Sequence, residues 1–334
     1  MQTVDALVCP RPGRLRLERR TAPQAGPGEA LVRPRRIGVC GTDYHIFEGK
    51  HPFLEYPRVM GHELAVEVVE APAGASLAAG DQCVVNPYLS CGRCVACRRN
   101  KPNCCVDIAV LGVHRDGGMT GLMPVPVENL LPADGLTLDQ CAAVEFLSIG
   151  AHAVRRGGVG EGDRVLVVGA GPIGLGVLYF SRMAGAEVLV LDRDSGRAET
   201  ARSLVGGVEI ASADDDTGLD DGFDVTFDAT GNRGAMERGF GFVAHGGSYV
   251  LVSVVKETVT FSDPDFHRKE TTLLGSRNAT SLDFASVMDA VRRGDIPVDR
   301  LITHRTDLAG AADAIPAWAK DKTGLIKAMI EIDG

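Results

Sequence analysis

The pattern of hydrophobic and polar positions changes near residue 150 of this 334-residue chain. Before that point, short β-like runs are separated by Gly and Pro about every 8–12 residues, which is typical of a small, irregular antiparallel barrel. Three such runs are Ala30-Leu31-Val32-Arg33, Leu64-Ala65-Val66-Glu67-Val68-Val69 and Gln82-Cys83-Val84-Val85. We therefore predict a β-rich domain of short, irregular strands in the first part of the chain.

After about residue 163, continuous apolar runs typical of strands buried on both faces alternate with helical stretches. Arg164-Val165-Leu166-Val167-Val168 is followed by a helical stretch from Ile173 to about Ala184 and by Glu187-Val188-Leu189-Val190-Leu191. Further candidate strands are Val225-Thr226-Phe227, Ser248-Tyr249-Val250-Leu251-Val252 and Thr272-Leu273-Leu274. Because parallel strands need such crossovers, we predict a doubly wound parallel sheet over roughly 151–276.

The last part of the chain predicts a helix near Leu282–Arg293, a strand at about Leu301-Ile302-Thr303 and a closing strand at Lys327-Ala328-Met329-Ile330. A chain of 334 residues is too long for one compact core. We therefore expect an α/β protein with two domains.

Composition excludes several classes of protein. The chain is 45% hydrophobic and 24% charged, as ordinary globular proteins are, and its net charge of -9 argues against a nucleic-acid partner. We find no secretory signal, and no apolar run approaches the roughly 18 residues of a membrane span. We therefore expect a cytoplasmic protein without a membrane partner, in which the nine cysteines are free thiols or metal ligands.

Four cysteines lie close together in the segment Cys91-x2-Cys94-x2-Cys97-x7-Cys105. Four thiolates can surround one zinc ion with no open position, so this spacing predicts a structural rather than a catalytic zinc site. Cys104 adjoins Cys105, which leaves open which of the two is the fourth ligand. Chance clustering is the alternative.

The loop Gly169-Ala170-Gly171-Pro172-Ile173-Gly174 lies between a predicted buried strand and a predicted helix. In a dinucleotide-binding loop the first glycine permits the tight turn, the second lets the backbone approach the pyrophosphate, and the third lets the helix pack closely. The pyrophosphate would bind at the helix N-terminus, where free N–H groups favour anions. A purely structural glycine loop is the alternative.

Asp192 follows the second strand of this unit, where a carboxylate can accept hydrogen bonds from the adenosine ribose. Its charge would repel a 2′-phosphate, so we predict NAD rather than NADP as the cofactor. Arg193, the next residue, leaves NADP open as the alternative.

Two further segments, Cys40-Gly41-Thr42-Asp43-Tyr44-His45 and Gly61-His62-Glu63, suggest a second metal site formed from distant parts of the chain. With them, the order of motifs over the whole chain resembles that of the zinc-dependent medium-chain dehydrogenase/reductase family. The resemblance implies a GroES-like catalytic domain over 1–150 and 277–334, with a zinc lobe at about 86–106, and a Rossmann NAD-binding domain over 151–276.

Within this family, Glu145-Phe146-Leu147-Ser148-Ile149-Gly150-Ala151-His152 resembles a segment of the sorbitol and threonine dehydrogenase branch, with Phe146 in place of the usual proline. Two other segments resemble the L-galactonate and L-gulonate 5-dehydrogenases. They are Val110-Leu111-Gly112-Val113-His114-Arg115-Asp116-Gly117-Gly118 and Leu301-Ile302-Thr303-His304. The resemblance thus implies an oxidoreductase that transfers hydride between NAD and a secondary alcohol of a polyol, sugar or sugar acid.

The resemblance also assigns the catalytic residues. It makes Cys40 and His62 ligands of a catalytic zinc, with either Glu145 or Glu63 as the third ligand, so that the chain would hold two zinc ions. Such a zinc acts as a Lewis acid on the substrate oxygen. Thr42 and His45 would carry the alcohol proton to solvent, and Asp43 would fix the tautomer of His62.

Arg277 is our candidate partner for a substrate carboxylate, and Asn278, His114 and Arg115 are weaker candidates. The alternative role of Arg277 is a salt bridge at the interface of the two predicted domains. For His51, His152 and His245 we expect structural or solvent-exposed positions.

The resemblance implies a homodimer or homotetramer. The alternatives for function are a sorbitol- or threonine-type dehydrogenase and a non-catalytic regulatory protein on the same fold. The complete set Cys40, Thr42, His45, His62 and Glu145 favours an enzyme.

Overall fold

The structure is a computed structural model that describes residues 2–50, 54–212 and 216–333. The expectation for His51 lies outside these residues. The chain divides into two compact units, residues 1–145 with 288–334 and residues 146–287. Within the described residues, no helix is long and apolar enough to cross a membrane.

The strands are β1 (Thr3–Arg11), β2 (Arg14–Thr21), β3 (Glu29–Val39), β4 (Arg58–Val59), β5 (Glu63–Glu70), β6 (Gln82–Val85), β7 (Tyr88–Leu89), β8 (Ala109–Val110), β9 (Met123–Pro126), β10 (Leu130–Pro132), β11 (Arg164–Val168), β12 (Glu187–Leu191), β13 (Val208–Ile210), β14 (Phe223–Asp228), β15 (Val243–Leu251), β16 (Thr272–Gly275), β17 (Ile302–Asp307) and β18 (Lys327–Glu331). The helices are α1 (Gly41–Phe47), α2 (Leu138–Gly157), α3 (Pro172–Met183), α4 (Ser195–Val205), α5 (Arg233–Phe242), α6 (Asp263–Arg268), α7 (Ser281–Arg292), α8 (Val298–Leu301) and α9 (Ala311–Lys320).

The first unit is β-rich, as predicted. Its main sheet has the strand order β10-β6-β5-β3-β18-β17, with β9 pairing with β3, and all of its pairs are antiparallel except β17 with β18. Strands β2, β1 and β4 form a second antiparallel sheet, and β7 pairs with β8. Apolar side chains such as Leu7, Ile37, Leu64 and Ile330 are fully buried in its core, because alternate positions of each strand point to one face.

In the second unit, the predicted doubly wound parallel sheet is confirmed. Its order is β13-β12-β11-β14-β15-β16, with every pair parallel, which is the strand order of dinucleotide-binding folds. Leu166, Phe223 and Phe242 are buried in one cluster of its core. The continuous apolar runs in the sequence therefore correspond to the central strands of this sheet.

Helix α2 differs from the sequence expectation, which placed only short strands before residue 150. It runs for 20 residues and includes Glu145 and Phe146. Its residues from Cys141 to Leu147 are all buried and, apart from Glu145, apolar, so this stretch lacks the regularly spaced polar positions that indicate an amphipathic helix. The segment that resembles the sorbitol and threonine dehydrogenases is therefore helical.

Helices α2 and α7 are joined by a buried carboxylate in the second unit. Asp283 on α7 is 2% exposed, and its oxygens lie 2.9 Å from Nδ1 of His152 and 2.8 Å from Nε of Arg155. Burial alone would raise the pKa of Asp283, but its hydrogen bonds with His152, Arg155 and Thr280 bring it well below its usual value. His152 thus has the structural position that we expected.

We expect Asp283→Asn to lower the free energy of unfolding by about 3 kcal/mol at pH 7, because it removes one partner of a buried charged network. A carboxyl group whose pKa is depressed by folding stabilises the protein above its unfolded pKa of about 4, and this stabilisation is lost as the pH falls below that value. Urea denaturation of both proteins from pH 7 to pH 3 measures the effect. A constant difference between them over this range would contradict the assignment.

Candidate active site and metal centres

The four cysteines of the segment 91–105 lie in a lobe between strands β7 and β8. Sγ of Cys94 lies 3.5 Å from Sγ of Cys97 and 3.9 Å from Sγ of Cys105, and all four sulfurs, including that of Cys91, lie within 4.8 Å of one another. A tetrahedron with Zn–S distances of about 2.3 Å has S–S edges of about 3.8 Å, so the sulfurs fit a zinc ion. Cys104 is exposed, and the structure places Cys105 in the cluster.

The backbone of the lobe favours the thiolate form of Cys94. Hydrogen bonds from backbone groups of Cys97 and Val106 lower the pKa of Cys94 to about 6. Since the thiolate is the form that binds a metal, Cys94 is prepared for ligation near neutral pH.

We expect Cys94→Ser to lose one zinc ion per chain and to lower Tm by roughly 10 °C. The reason is that a closed zinc site supplies folding free energy, and each kcal/mol shifts Tm by about 2–4 °C in domains of this size. Elemental analysis and calorimetry measure both effects. The control is Cys104→Ser, which changes an exposed thiol outside the cluster. Unchanged zinc content in the Cys94 variant would contradict the site.

The second cluster contains Cys40, His62 and Glu63, whose ligand atoms lie within 4.8 Å of one another. Cys40 is the N-cap of α1, and its Sγ accepts a hydrogen bond from the backbone N–H of Thr42 at 3.2 Å. It lies 3.1 Å from Nε2 of His62, which directly precedes β5. The end of β3 and the start of β5 thus bring these side chains together, since the two strands pair at Gly38 and Glu63.

Asp43 connects the backbones that carry these two residues. Its fully buried carboxylate accepts hydrogen bonds from the N–H groups of Cys40 at 3.0 Å and of Gly61 at 3.3 Å. Nδ1 of His62 lies 3.9 Å from Asp43, which is too long for a hydrogen bond, and it has no hydrogen-bond partner among the described residues. Asp43 therefore fixes the positions of the two loops rather than the tautomer of His62.

The two candidate glutamates have different partners. Both oxygens of Glu63 contact Nζ of Lys327 on β18, at 2.7 and 2.8 Å, and both side chains are at most 1% exposed. The position of Glu63 requires glycine at residue 38, because a Cβ atom there would lie 1.9 Å from its carboxylate. Oε1 of Glu145 accepts a hydrogen bond from the hydroxyl of Tyr88.

The charges of this cluster fit a divalent cation. Asp43, Glu63 and Glu145 are buried, and with a Cys40 thiolate they exceed the positive charge that Lys327 and a protonated His62 could supply. Burial lowers the pKa of His62, but the charges of Cys40 and Asp43 raise it well above its usual value. Burial raises the pKa of Glu145 to about 7. Sulfur, imidazole and carboxylate are also the ligand types of catalytic zinc.

The predicted dinucleotide loop connects β11 to α3. Gly169 has φ +102°, and a Cβ atom at Gly174 would lie 1.8 Å from the carbonyl oxygen of Gly169, so these two positions require glycine. Gly171 is the N-cap of α3 without a side chain, and Pro172 and Ile173 form the first turn. The N-terminus of this 12-residue helix is therefore open to an anion.

Asp192 follows β12 directly and is partly buried, while Arg193 is exposed. The carboxylate of Asp192 accepts hydrogen bonds from the backbone N–H groups of Ala170 at 2.7 Å and of Asp194 at 2.9 Å. It is thus held beside the glycine loop, where the sequence placed the ribose-binding acid.

The remaining predicted residues lie on different parts of the chain. Thr42 and His45 lie on α1, where Thr42 is partly buried and His45 is exposed. Arg277 is exposed and Asn278 is partly buried with φ +53°, and both belong to the second unit. His114 is exposed in the first unit, and its Nδ1 accepts a hydrogen bond from the N–H of Val110. Arg115, next to it, is also exposed.

Comparison with known proteins identifies the family of this chain. A family model described as Alcohol dehydrogenase GroES-like domain matches residues 26–135, and one described as Zinc-binding dehydrogenase matches residues 172–293. The chain is 41% identical to L-galactonate-5-dehydrogenase of Escherichia coli (strain K12), with 99% of each chain covered. The chain belongs to the zinc-binding alcohol dehydrogenase family.

Two solved structures show the same fold as this dehydrogenase. A putative zinc-binding dehydrogenase from Sinorhizobium meliloti 1021 bound to NADP and an alcohol dehydrogenase (rspB) from Escherichia coli CFT073 complexed with NADH each superpose with a TM-score of 0.92. Each is 28% identical, and the match covers 99% of this chain and 100% of the other. The resemblance drawn from the motifs is thus confirmed: the protein is a zinc-dependent oxidoreductase of the alcohol and polyol dehydrogenase type.

Sequence reasoning missed two residues of the dehydrogenase that contact the candidate glutamates. Lys327 carried a signal, because it is a lone cation at the start of a strand whose next three residues are apolar. Tyr88 carried none, because 57 positions separate it from Glu145. Both contacts depend on how the first unit folds.

Proposed function

We propose that this dehydrogenase oxidises a secondary hydroxyl of a sugar acid of the L-galactonate or L-gulonate type, with NAD as the hydride acceptor. The observation that carries the proposal is its 41% identity over the whole chain to an L-galactonate-5-dehydrogenase. The cluster of Cys40, His62 and Glu63, with the buried Glu145 as the alternative third ligand, supports catalytic activity. A homodimer or homotetramer is our proposal for the assembly.

In the proposed mechanism, Cys40 and His62 would hold the catalytic zinc together with Glu145 or Glu63, and the four-cysteine lobe would hold a second zinc. The bound catalytic zinc supplies a Lewis acid for the substrate oxygen. Thr42 lies two residues after Cys40 at the start of α1, and its hydroxyl receives the alcohol proton. His45, exposed on the same helix, passes this proton to solvent, a role that the imidazole group of histidine can take.

A sugar acid differs from a sugar alcohol in its carboxylate, which needs a cation to bind. Arg277 is exposed just after β16 and is our proposed partner, with His114, Arg115 and Asn278 as further polar candidates. A planar guanidinium suits a carboxylate, because it can donate two parallel hydrogen bonds.

A substrate screen tests the proposal by NAD reduction with aldonates, alditols, aldoses and L-threonine. L-Galactonate and L-gulonate are expected to give the highest kcat/KM. Each is compared with its alditol, in which a hydroxymethyl group replaces the carboxylate, so that only the charge recognition differs. Arg277→Met should remove most of the preference for the aldonate. A higher kcat/KM for sorbitol or threonine would overturn the sugar-acid assignment.

We expect Asp192→Asn to raise the ratio of kcat/KM for NADP to that for NAD roughly five- to tenfold, because it removes a repulsion worth about 1 kcal/mol. The amide oxygen can still accept the hydrogen bond from Ala170, so the loop should keep its conformation. Initial rates with both cofactors measure the ratio. Glu187→Gln, at the other end of β12, is the control. An unchanged ratio would show that Asp192 does not face the ribose.

A further inference from the structure

We propose that Tyr88 is a positioning residue through which the four-cysteine lobe orients Glu145 at the catalytic zinc. This inference rests on the proposed function, because it takes Glu145 as a zinc ligand. It assigns to the lobe a role in catalysis in addition to its stabilising role.

The first step is the contact between the two side chains. The hydroxyl of Tyr88 donates a hydrogen bond to Oε1 of Glu145, and the two residues are only 8% and 4% exposed. A neutral donor orients a carboxylate without cancelling the negative charge that a metal ion requires. Glu63 has the opposite arrangement, because the ammonium group of Lys327 contacts both of its oxygens. The carboxylate of Glu63, rather than that of Glu145, lies within 4.8 Å of the ligand atoms of Cys40 and His62, but its charge is shared with Lys327. We therefore take Glu145, which Tyr88 orients without a cation, as the ligand that a bound zinc ion would recruit.

The second step is the connection from Tyr88 to the lobe. Tyr88 begins β7, which pairs with β8 through Tyr88 with Val110 and Leu89 with Ala109. The four thiols lie on the chain between these two strands. The backbone N–H of Cys91 also donates to Sγ of Cys105 at 3.2 Å. Binding of a metal by the thiols would thus hold the base of the lobe closed and fix the backbone of Tyr88.

The third step is the anchor on the other side of the same backbone. Nδ2 of Asn129, which is buried, donates to the carbonyl oxygen of Asn86 at 2.8 Å. Asn86 in turn donates its N–H to the carbonyl oxygen of Asn129 at 2.8 Å and accepts from the N–H of Tyr88 at 3.1 Å. The backbone of Tyr88 is therefore held on one side by the hydrogen bonds of Asn86 and Asn129. On the other side it is held by the base of the lobe, which depends on the lobe metal.

The test compares Tyr88→Phe with Tyr249→Phe. Tyr249 is a matched control, because it is also buried and its hydroxyl donates one hydrogen bond, to the carbonyl oxygen of Met236. Competition with a chromophoric chelator gives the zinc affinity of the catalytic site, and the cobalt-substituted protein gives its absorption spectrum. Tyr88→Phe is expected to weaken zinc binding about 10- to 100-fold and to shift the cobalt bands, as loss of a group that orients a ligand does. The control should change neither. Equal effects of the two variants would overturn the orienting role.

A double-mutant cycle tests the connection to the lobe. Cys94→Ser is expected to weaken the remaining zinc site severalfold when Tyr88 is present and to cause little further loss in the Tyr88→Phe background. Fully additive losses, or no loss in Cys94→Ser, would overturn the connection. If Cys94→Ser does not fold, Val110→Gly replaces it, because this change weakens the pairing of β7 with β8 and keeps all four thiols.

These measurements need no substrate. Failure of the proposed function would appear in the wild-type protein, as a lack of aldonate oxidation or of zinc at Cys40 and His62. If only this inference fails, the wild-type protein will still oxidise the aldonate and hold zinc at Cys40 and His62. The Tyr88→Phe variant will then bind zinc as the Tyr249→Phe control does.

Discussion

Replacing Cys40 with alanine is expected to lower kcat/KM for the proposed aldonate substrate at least about 10³-fold and to remove one of the two proposed zinc ions. The loss follows because Lewis-acid stabilisation of the reacting oxygen is worth several kcal/mol, and each 1.4 kcal/mol is about a factor of ten in rate. Steady-state kinetics with NAD and elemental analysis of the same preparation measure both effects.

The remaining zinc in Cys40→Ala should be retained by the lobe, because none of its four thiols is changed. Cys104→Ser serves as the control, since this exposed thiol lies outside both clusters and should keep both metals and full activity. A Cys40→Ala protein that oxidises the aldonate within tenfold of the wild-type rate would sink the proposed mechanism.

The second large effect concerns stability. Lys327→Met is expected to lower the free energy of unfolding of the metal-free protein by about 3–5 kcal/mol, because it leaves the carboxylate of Glu63 buried without its cation. This corresponds to a Tm roughly 10 °C lower. Calorimetry of the chelator-treated protein measures it, since a bound metal could partly replace the lost positive charge.

A second substitution separates charge from packing. In Lys327→Met combined with Glu63→Gln, the buried charge is gone, so most of the lost stability should return. Arg202→Met, which breaks an exposed ion pair with Glu199, should change stability by no more than about 0.5 kcal/mol. If the double variant is as unstable as Lys327→Met, the loss comes from packing and the charge argument is wrong.

The parts of the fold predicted well are those in which the signal is local. The strands of the second unit appear as continuous apolar runs, and the tight turn at Gly169 precedes a helix in the sequence itself. The spacing of Cys91, Cys94 and Cys97 likewise lets one short segment bring three sulfurs together. In each case a few neighbouring residues determine the geometry.

The parts predicted poorly depend on contacts between distant segments. Helix α2 is buried almost throughout its central turns, so it lacks the polar face that would have distinguished it from a strand. Asp43 was expected to hold His62, but its carboxylate instead connects the backbones of Cys40 and Gly61. The roles of Arg277, Asn278, His114 and Arg115 stay predictions.

The sequence by itself determined the family, the dinucleotide-binding sheet and the residue types of both metal clusters, because motifs and hydrophobic periodicity are properties of neighbouring positions. Only the tertiary structure decided which side chains meet. In the structure, Lys327 contacts Glu63, 264 positions away, and Tyr88 contacts Glu145, 57 positions away. Glycine at position 38 leaves the room that the side chain of Glu63 needs. The physical reason is that buried charges need partners, and the pairing of strands rather than the order of residues determines which partner is within reach.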